Sequence, residues 1–262
     1  MSASKDSIGR TLTVAVLLCV VCSVVVSAAA VLLKPKQIAN KNLDRQTNIL
    51  AAAGIATDGK DVQALFDELI EKRFVDLRTG KYTTVADPER YDASKAAKEA
   101  DTGIKLSREN DIASIKVQAK VMPVYLVKSD APQGFDKMIL PVHGYGLWST
   151  LYGFLALESD LNTVVGLGFY SHAETPGLGG EVDNPNWKAL WPGKQVYHEG
   201  SMKPALGLIK GSVDQASANA KYQVDGLSGA TLTSRGVTNL VHFWMGENGY
   251  APFLSNLKAG GA

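Results

Sequence analysis

Residues 11–33 form an uncharged, strongly apolar run of 23 positions, long enough to cross a bilayer as one helix. After it, apolar positions recur on shorter periods. Residues 34–59 are mostly polar. They include Pro35, an apolar patch at Ile49-Leu50-Ala51-Ala52-Ala53, and Gly54, and they read as a stalk. Val62, Leu65, Phe66, Leu69 and Ile70 make one stripe at helical spacing, which predicts an amphipathic helix over residues 61–73 packed on a core. Residues 76–118 hold few large apolar side chains. They predict loops and peripheral helices, with a short solvated helix at 92–98.

The texture changes at Val121. Residues 121–127, 138–142, 152–157 and 164–170 predict strands, the last two joined by the turn-like Glu158-Ser159-Asp160-Leu161-Asn162. Asp183 or Asn184 would cap a short helix through Trp187 and Leu190, and 205–209 predicts another strand. Val237, Leu240, Val241, Trp244 and Met245 fall at helical spacing and predict a final helix, followed by a loose tail at 258–262. Short strands in antiparallel meanders with separate helices argue an α+β fold. The expected architecture is an antiparallel sheet with packed helices, preceded by one N-terminal transmembrane helix. Its parts are a tip at 1–10, the membrane helix at 11–33, the stalk at 34–59, a folded domain at 60–257 and the tail.

A cleaved signal peptide competes for the N-terminus, with Lys5 and Arg10 ahead of the run and an A-x-A site at Ala28-Ala29-Ala30. The run continues through Val31, Leu32 and Leu33 and exceeds the usual h-region, which favours an uncleaved anchor. Charge fixes orientation poorly. Lys34, Lys36, Lys41 and Arg45 outnumber Lys5 and Arg10, so the positive-inside rule leans toward a cytoplasmic body. The overall balance of 27 basic and 26 acidic residues implies no broad basic surface and argues against nucleic acid as a partner. Both cysteines, Cys19 and Cys22, lie in the apolar run. The rest of the chain therefore has no disulfide and no cysteine-ligated metal of its own. Their C-x-x-C spacing has two readings: small apolar side chains in a membrane helix, or ligands shared with a partner's cysteines.

Three stretches carry candidate chemistry. Residues 225–235, Asp-Gly-Leu-Ser-Gly-Ala-Thr-Leu-Thr-Ser-Arg, pack four hydroxyl side chains and two glycines ahead of the final helix. One reading is a turn and a Ser/Thr helix cap. The other is a phosphate site at the helix N-terminus, with Gly229 and Ala230 admitting a large ligand and Thr231 offering a hydroxyl for esterification. Residues 171–181 form a glycine-rich loop after a strand. Its Glu174 and Thr175 offer polar groups, and Leu178 offers an apolar one, to a flat ligand; an ordinary strand-to-helix loop is the other reading. In 144–150, Trp148 could stack on an aromatic ligand with Ser149 and Thr150 at its rim, or pack as a core tryptophan. G-x-G-x-x-G, the nucleotide P-loop, H-E-x-x-H and G-x-S-x-G are all absent, so Rossmann, P-loop, zinc-hydrolase and serine-hydrolase readings lack motif support. His143, His172, His198 and His242 show no metal spacing, and His242 reads as a packed or surface residue of the final helix.

Together these stretches resemble a known family. Asp225-Gly226-Leu227-Ser228-Gly229-Ala230-Thr231 resembles the flavinylation motif D-x-x-[ST]-G-A-T of bacterial FMN-binding domains, and residues 172–180 resemble their E-T-P-G-L-G loop. Further features distinguish two relatives: residues 146–157, the run 174–181 followed by Asn184-Pro185-Asn186-Trp187, the length and the polar segment 76–118. They resemble the C subunit of the Na+-translocating NADH:quinone reductase more than the related G subunit of the Rnf ferredoxin-linked complex.

The resemblance implies an electron carrier with FMN joined through its phosphate to Thr231 by a separate flavin transferase. Ser228, Gly229, Ala230 and Thr233 would line the phosphate and ribityl end; Thr175, Leu178, Gly179 and Trp148 would line the isoalloxazine. Asp225 would assist recognition or hydroxyl activation. Lys210 would meet the ring's N1–O2 edge or stand as an exposed turn lysine. The implied partners are five other subunits of the complex, especially the FMN-bearing B subunit and the membrane pair D and E, with NADH entering elsewhere. The implied location is the bacterial inner membrane with the folded domain in the periplasm and residues 1–10 in the cytoplasm, against the charge count. The readings left open are the Rnf protein, a membrane-anchored flavin-binding sensor or scaffold without turnover, and a plain structural anchor.

Overall fold

A computed structural model describes residues 7–130 and 134–261. Residues 1–6 of the expected tip, and the last residue of the expected tail, lie outside the described residues. The chain divides into two compact units, residues 1–44 and 45–262.

The first unit consists of the exposed N-terminal part of helix α1 (Ile8–Ala52), which is long and apolar enough to cross a membrane. Its 23 uncharged residues at 11–33 span about 35 Å at 1.5 Å per residue. The helix continues past Pro35.

The second unit begins within the same helix. Ile49, Leu50, Ala52 and Ala53, read from sequence as a stalk patch, are buried core residues. Gly54, at φ +71°, ends the helix. Its N–H bonds to the Ala51 carbonyl at 3.0 Å, and the Ile55 N–H bonds to the Leu50 carbonyl at 2.9 Å, the paired pattern of a glycine C-terminal stop. The Lys137 Nζ donates to the Ala53 carbonyl at 2.9 Å, placing a cation at the negative helix end.

Helix α2 (Val62–Leu69) starts where the Asp61 carboxylate accepts the N–H groups of Gln63 and Ala64. It stops earlier than the expected 61–73. Residues Ile70–Asp76 form strand β1, paired antiparallel along its whole length with β5 (Val121–Lys128). Seven residues of ladder outweigh the continuation of a helical stripe whose last member is Ile70. The polar segment then yields β2 (Lys81–Thr83), the single-turn α3 (Ala93–Ala96) capped by Asp92, β3 (Gly103–Lys105) and β4 (Val117–Ala119).

The main sheet runs β2-β1-β5-β6-β7-β8, with β6 at Phe135–Tyr145, β7 at Thr150–Glu158 and β8 at Val164–Ser171. Every neighbouring pair is antiparallel. Both faces of its centre are covered. Val124, Leu126, Met138, Leu140, Leu155 and Leu157 join the larger core; Tyr125, Ile139, Phe154 and Ala156 join the smaller core with Ile49 and Leu50. The alternation obeys the period of two, yet both sets are apolar, which is why these strands read as continuous hydrophobic runs.

The remaining elements are α4 (Pro185–Lys188), β9 (Gly207–Ile209), β10 (Gln223–Asp225), α5 (Thr231–Trp244) and α6 (Ala251–Lys258). Asn184 caps α4, accepting the Asn186 N–H at 2.9 Å. Helix α5 packs its Val237, Leu240, Val241 and Trp244 into the larger core, and the Trp244 indole donates to the His143 carbonyl of β6 at 2.7 Å. Burial lowers the pKa of His143 to about 4, and its ring stacks on Tyr152 in the neighbouring strand. Helix α6 has no counterpart among the elements expected from sequence; its Phe253 and Leu254 are fully buried. Antiparallel pairing of β7 with β8 sets the start of one beside the end of the other, Tyr152 opposite Ser171. The β6–β7 turn and the loop after β8 therefore emerge at the same end of the sheet.

Candidate functional site

The N-terminus of α5 has no side-chain cap. Ala230 occupies the capping position, and no side chain bonds to the first-turn N–H groups there. The hydroxyl cluster that suggested a Ser/Thr cap is used otherwise. Ser234, already inside the helix, turns its hydroxyl back to accept the Leu227 N–H at 3.0 Å. Gly229 takes φ +69° to bring the chain into the helix, and a Cβ there would lie 2.9 Å from Leu178 Cδ2. Thr231 is the first helical residue, and its side chain is exposed. An uncapped 14-residue helix presents backbone donors and a partial positive charge beside that hydroxyl.

Thr231 stands on the rim of a cleft of about 650 Å³ between α5 and the parallel pair β9–β10. Lys210, Ser212, Asp225, Ser228, Gly229 and Arg235 share its walls. Asp225 shapes the cleft: its Oδ1 accepts the Val213 N–H at 2.8 Å, while its carbonyl accepts the Trp187 indole N–H at 3.0 Å. The Gly226 N–H closes the same junction on the Gly211 carbonyl at 3.0 Å. Arg235, together with Ser234 and Thr238 of the same wall, was not singled out from sequence. The signal was available, since offsets of three, four and seven residues from Thr231 fall on one helix face.

On the other side, two loops and the first turn of α5 meet at Glu174. Its side chain is only 5% exposed. Oε1 accepts the backbone N–H groups of Leu147, Trp148 and Ser149 at 3.1, 2.9 and 3.2 Å, and Oε2 accepts the Thr233 hydroxyl at 2.6 Å. The carboxylate is thus engaged within the protein, and Thr233, fully buried, faces it instead of a phosphate. Two glycines make room for it. A Cβ on Gly146 would lie 2.6 Å from Glu174 Oε1, and one on Gly179 would lie 2.5 Å from the Thr233 hydroxyl oxygen. The Ser149 hydroxyl accepts the Ala173 N–H at 2.7 Å, and the Thr175 carbonyl closes the turn by accepting from Leu178 and Gly180. Thr150 opens β7 opposite Tyr145. His172 accepts the Glu174 N–H at Nδ1, which leaves Nε2 to donate to Asp183 at 2.7 Å.

Trp148 is 65% exposed, which rules out the core-tryptophan reading; Leu178 and Leu232 are also exposed. These large apolar surfaces stand on the segments joined at Glu174. Lys210, Asp225, Ser228, Gly229 and Thr231 come together in the cleft; Ala230 is buried under the start of α5. His242 is half-buried on the side of α5 that faces β9, close to Gly207. The arrangement joins a cleft with two cations on its walls, an exposed hydroxyl and a set of apolar surfaces.

Burial pushes the Glu174 carboxyl up. The Thr233 hydroxyl and the N–H groups of Trp148, Ser149 and Leu147 outweigh it and hold the group below its ordinary value of 4.5. A folded value below the unfolded one gives stability that is present above about pH 4.5 and is lost as pH falls through the folded value. Denaturant midpoints of the wild-type chain and Glu174→Gln should therefore differ at pH 7 and converge on acidification. A gap that stays constant with pH would contradict the ionised role.

The family model for the FMN-binding domain matches residues 146–246, which include the stretches 171–181 and 225–235 and residues 146–150 of the third. The chain is 55% identical over 264 residues to the C subunit of the Na(+)-translocating NADH-quinone reductase of Pseudomonas aeruginosa, covering 99% of this chain and 100% of that protein. It is 48% identical to the same protein of Vibrio parahaemolyticus, covering 100% and 99%. Among solved structures, Shewanella oneidensis NqrC aligns with a TM-score of 0.77 at 36% identity, over 84% of this chain and 99% of that one. The C subunit from Parabacteroides distasonis aligns with a TM-score of 0.64 at 28% identity, over 85% and 97%. Full-length identity at this level, on a fold that agrees, means that the chain belongs to the NqrC family, the C subunits of the Na(+)-translocating NADH-quinone reductase.

Proposed function

We propose that the chain carries electrons within the reductase complex through an FMN esterified by its phosphate to Thr231. The observation that carries this reading is the exposed Thr231 hydroxyl at the uncapped start of α5, on the rim of a cleft that also holds Lys210 and Arg235. The residues fit the group. The two cations and the helix N-terminus suit a phosphodiester, Ser228 and Gly229 allow close backbone approach, and Trp148 and Leu178 offer apolar surface to a ring. When bound, FMN supplies reversible electron exchange.

The chain's own residues hold and shield it. Thr231 Oγ is the tether, and Asp225 keeps the cleft wall in place through Val213. Lys210 and Arg235 bring positive charge to the phosphate end. No side chain here is asked to abstract a proton from a substrate. An exposed tether suits outer-sphere exchange with the rest of the complex, the B subunit on one side and the membrane pair D and E on the other. A flavin transferase supplies the FMN. Helix α1 anchors the chain in the bacterial inner membrane, with the folded unit in the periplasm.

Two experiments test this. The chain co-expressed with a flavin transferase should fluoresce on a denaturing gel and gain the mass of one FMN phosphoester; an unmodified mass would sink the assignment. A C-terminal alkaline phosphatase fusion should be active and a C-terminal cytoplasmic reporter silent, whereas the reverse pattern would put the folded unit in the cytoplasm.

A further inference from the structure

The carboxylate of Glu174 joins three segments that are distant in sequence. It bonds the backbone of the β6–β7 turn at Leu147, Trp148 and Ser149, it belongs to the loop that carries Leu178, and it takes the hydroxyl of Thr233, two residues beyond Thr231. Each segment has its own local support. The Gly146 N–H bonds to the Ser149 carbonyl at 2.8 Å, the Tyr145 hydroxyl bonds to the Trp148 carbonyl at 3.2 Å, and the Thr175 carbonyl closes the loop turn. These local bonds shape each segment without tying one to another. The Ser149 hydroxyl links the turn to the loop through Ala173, but reaches nothing on α5.

We propose that Glu174 is a positioning residue: its buried carboxylate fixes Trp148, Leu178 and Thr231 relative to one another, so that a flavin tethered at Thr231 meets a preformed surface. This rests on the flavin reading given above and deepens it. A charged acceptor with four donors suits the task, since charge-assisted bonds to backbone N–H groups are short and directional. Its burial beneath Gly146 and Gly179 leaves no room for a wider side chain. Thr233 acts only through Glu174 in this scheme, so removing either should have overlapping effects.

The test uses the full chain, with and without covalent flavin. In the flavin-free chain, amide hydrogen exchange at Leu147, Trp148 and Ser149 should speed up about tenfold to a hundredfold in Glu174→Ala, while β5 and β6 stay protected. Thr233→Val, nearly isosteric, should loosen the turn less and move the start of α5 in the same direction. Thr233→Ser should restore wild-type behaviour. In the flavin-bearing chain, both loosening variants should keep the FMN mass but lower its fluorescence anisotropy.

Unchanged exchange at residues 147–149 in Glu174→Ala would overturn the proposal. So would faster exchange with wild-type anisotropy, because the link would then be structural without positioning anything. If Glu174→Ala fails to fold, Thr233→Val decides by the same two readouts. If the wild-type chain takes no covalent flavin, the flavin reading fails by its mass, and exchange alone judges the link between the segments.

Discussion

Thr231→Ala is expected to remove covalent flavin completely: no fluorescent band after denaturation and no added FMN mass, under conditions where the wild-type chain is fully labelled. The loss should not come from misfolding. Thr231 is exposed, and the capping position belongs to Ala230, so the substitution removes neither a cap nor a core contact. Alanine is also the best helix former, so α5 should be at least as stable. Circular dichroism and the melting temperature should match the wild type. The other hydroxyls of the motif are poor substitutes. Thr233 is buried against Glu174, and the Ser234 hydroxyl holds the Leu227 N–H. Within the motif, Ser228 is the remaining competitor on the cleft wall. Thr231→Ser should keep some labelling. Flavin that persists in Thr231→Ala and disappears only with Ser228→Ala would move the tether to Ser228 and refute the assignment.

The fold was legible where long apolar runs or whole apolar faces marked an element. The strands of the β5–β8 meander, the membrane-length helix and α5 all announce themselves because whole faces are apolar. The misplacements have physical causes. Residues 70–73 continue a helical stripe, yet a seven-residue ladder with β5 claims them, and a long-range pairing leaves no mark in local periodicity. Strand β10 is only three residues long, too short for any pattern, while its partner β9 lies within the strand expected at 205–209.

In the site, the motif residues were legible as a set, but their division of labour was not. Glu174 and Thr233 are 59 positions apart and look like ligands in sequence; they turn out to satisfy each other beneath the surface. The hydroxyl cluster looked like a cap, and its geometry is the opposite, a helix start left without one. Arg235 shares a helix face with Thr231 by its offset of four, but that Lys210 lines the same cleft follows only from the tertiary fold.

Gly236→Ala should destabilise the folded unit by about 2 kcal/mol, reversing the sign expected from helix propensity. In the middle of an exposed helix the same change would stabilise by about 1 kcal/mol. Here α5 crosses the β6–β7 turn at Gly236. An added Cβ would sit 2.5 Å from the Tyr145 carbonyl oxygen and 3.0 Å from the Gly146 Cα. Both are backbone atoms, so no flexible side chain can give way; the helix and the turn must separate. That separation acts on the neighbours in both directions. Glu174 bonds the turn on one side and Thr233 on the other, so its bonds must lengthen or break. Gly168 in β8 is the matched control, since a Cβ there meets nothing within 4 Å. A melting temperature about 4–8 °C below wild type is expected for Gly236→Ala, with little or no change for Gly168→Ala. The flavin-bearing variant should also lose anisotropy, because Trp148 and Thr231 no longer keep their spacing. Equal stability of the two alanine variants would mean that the close approach of α5 to the turn does not constrain the site.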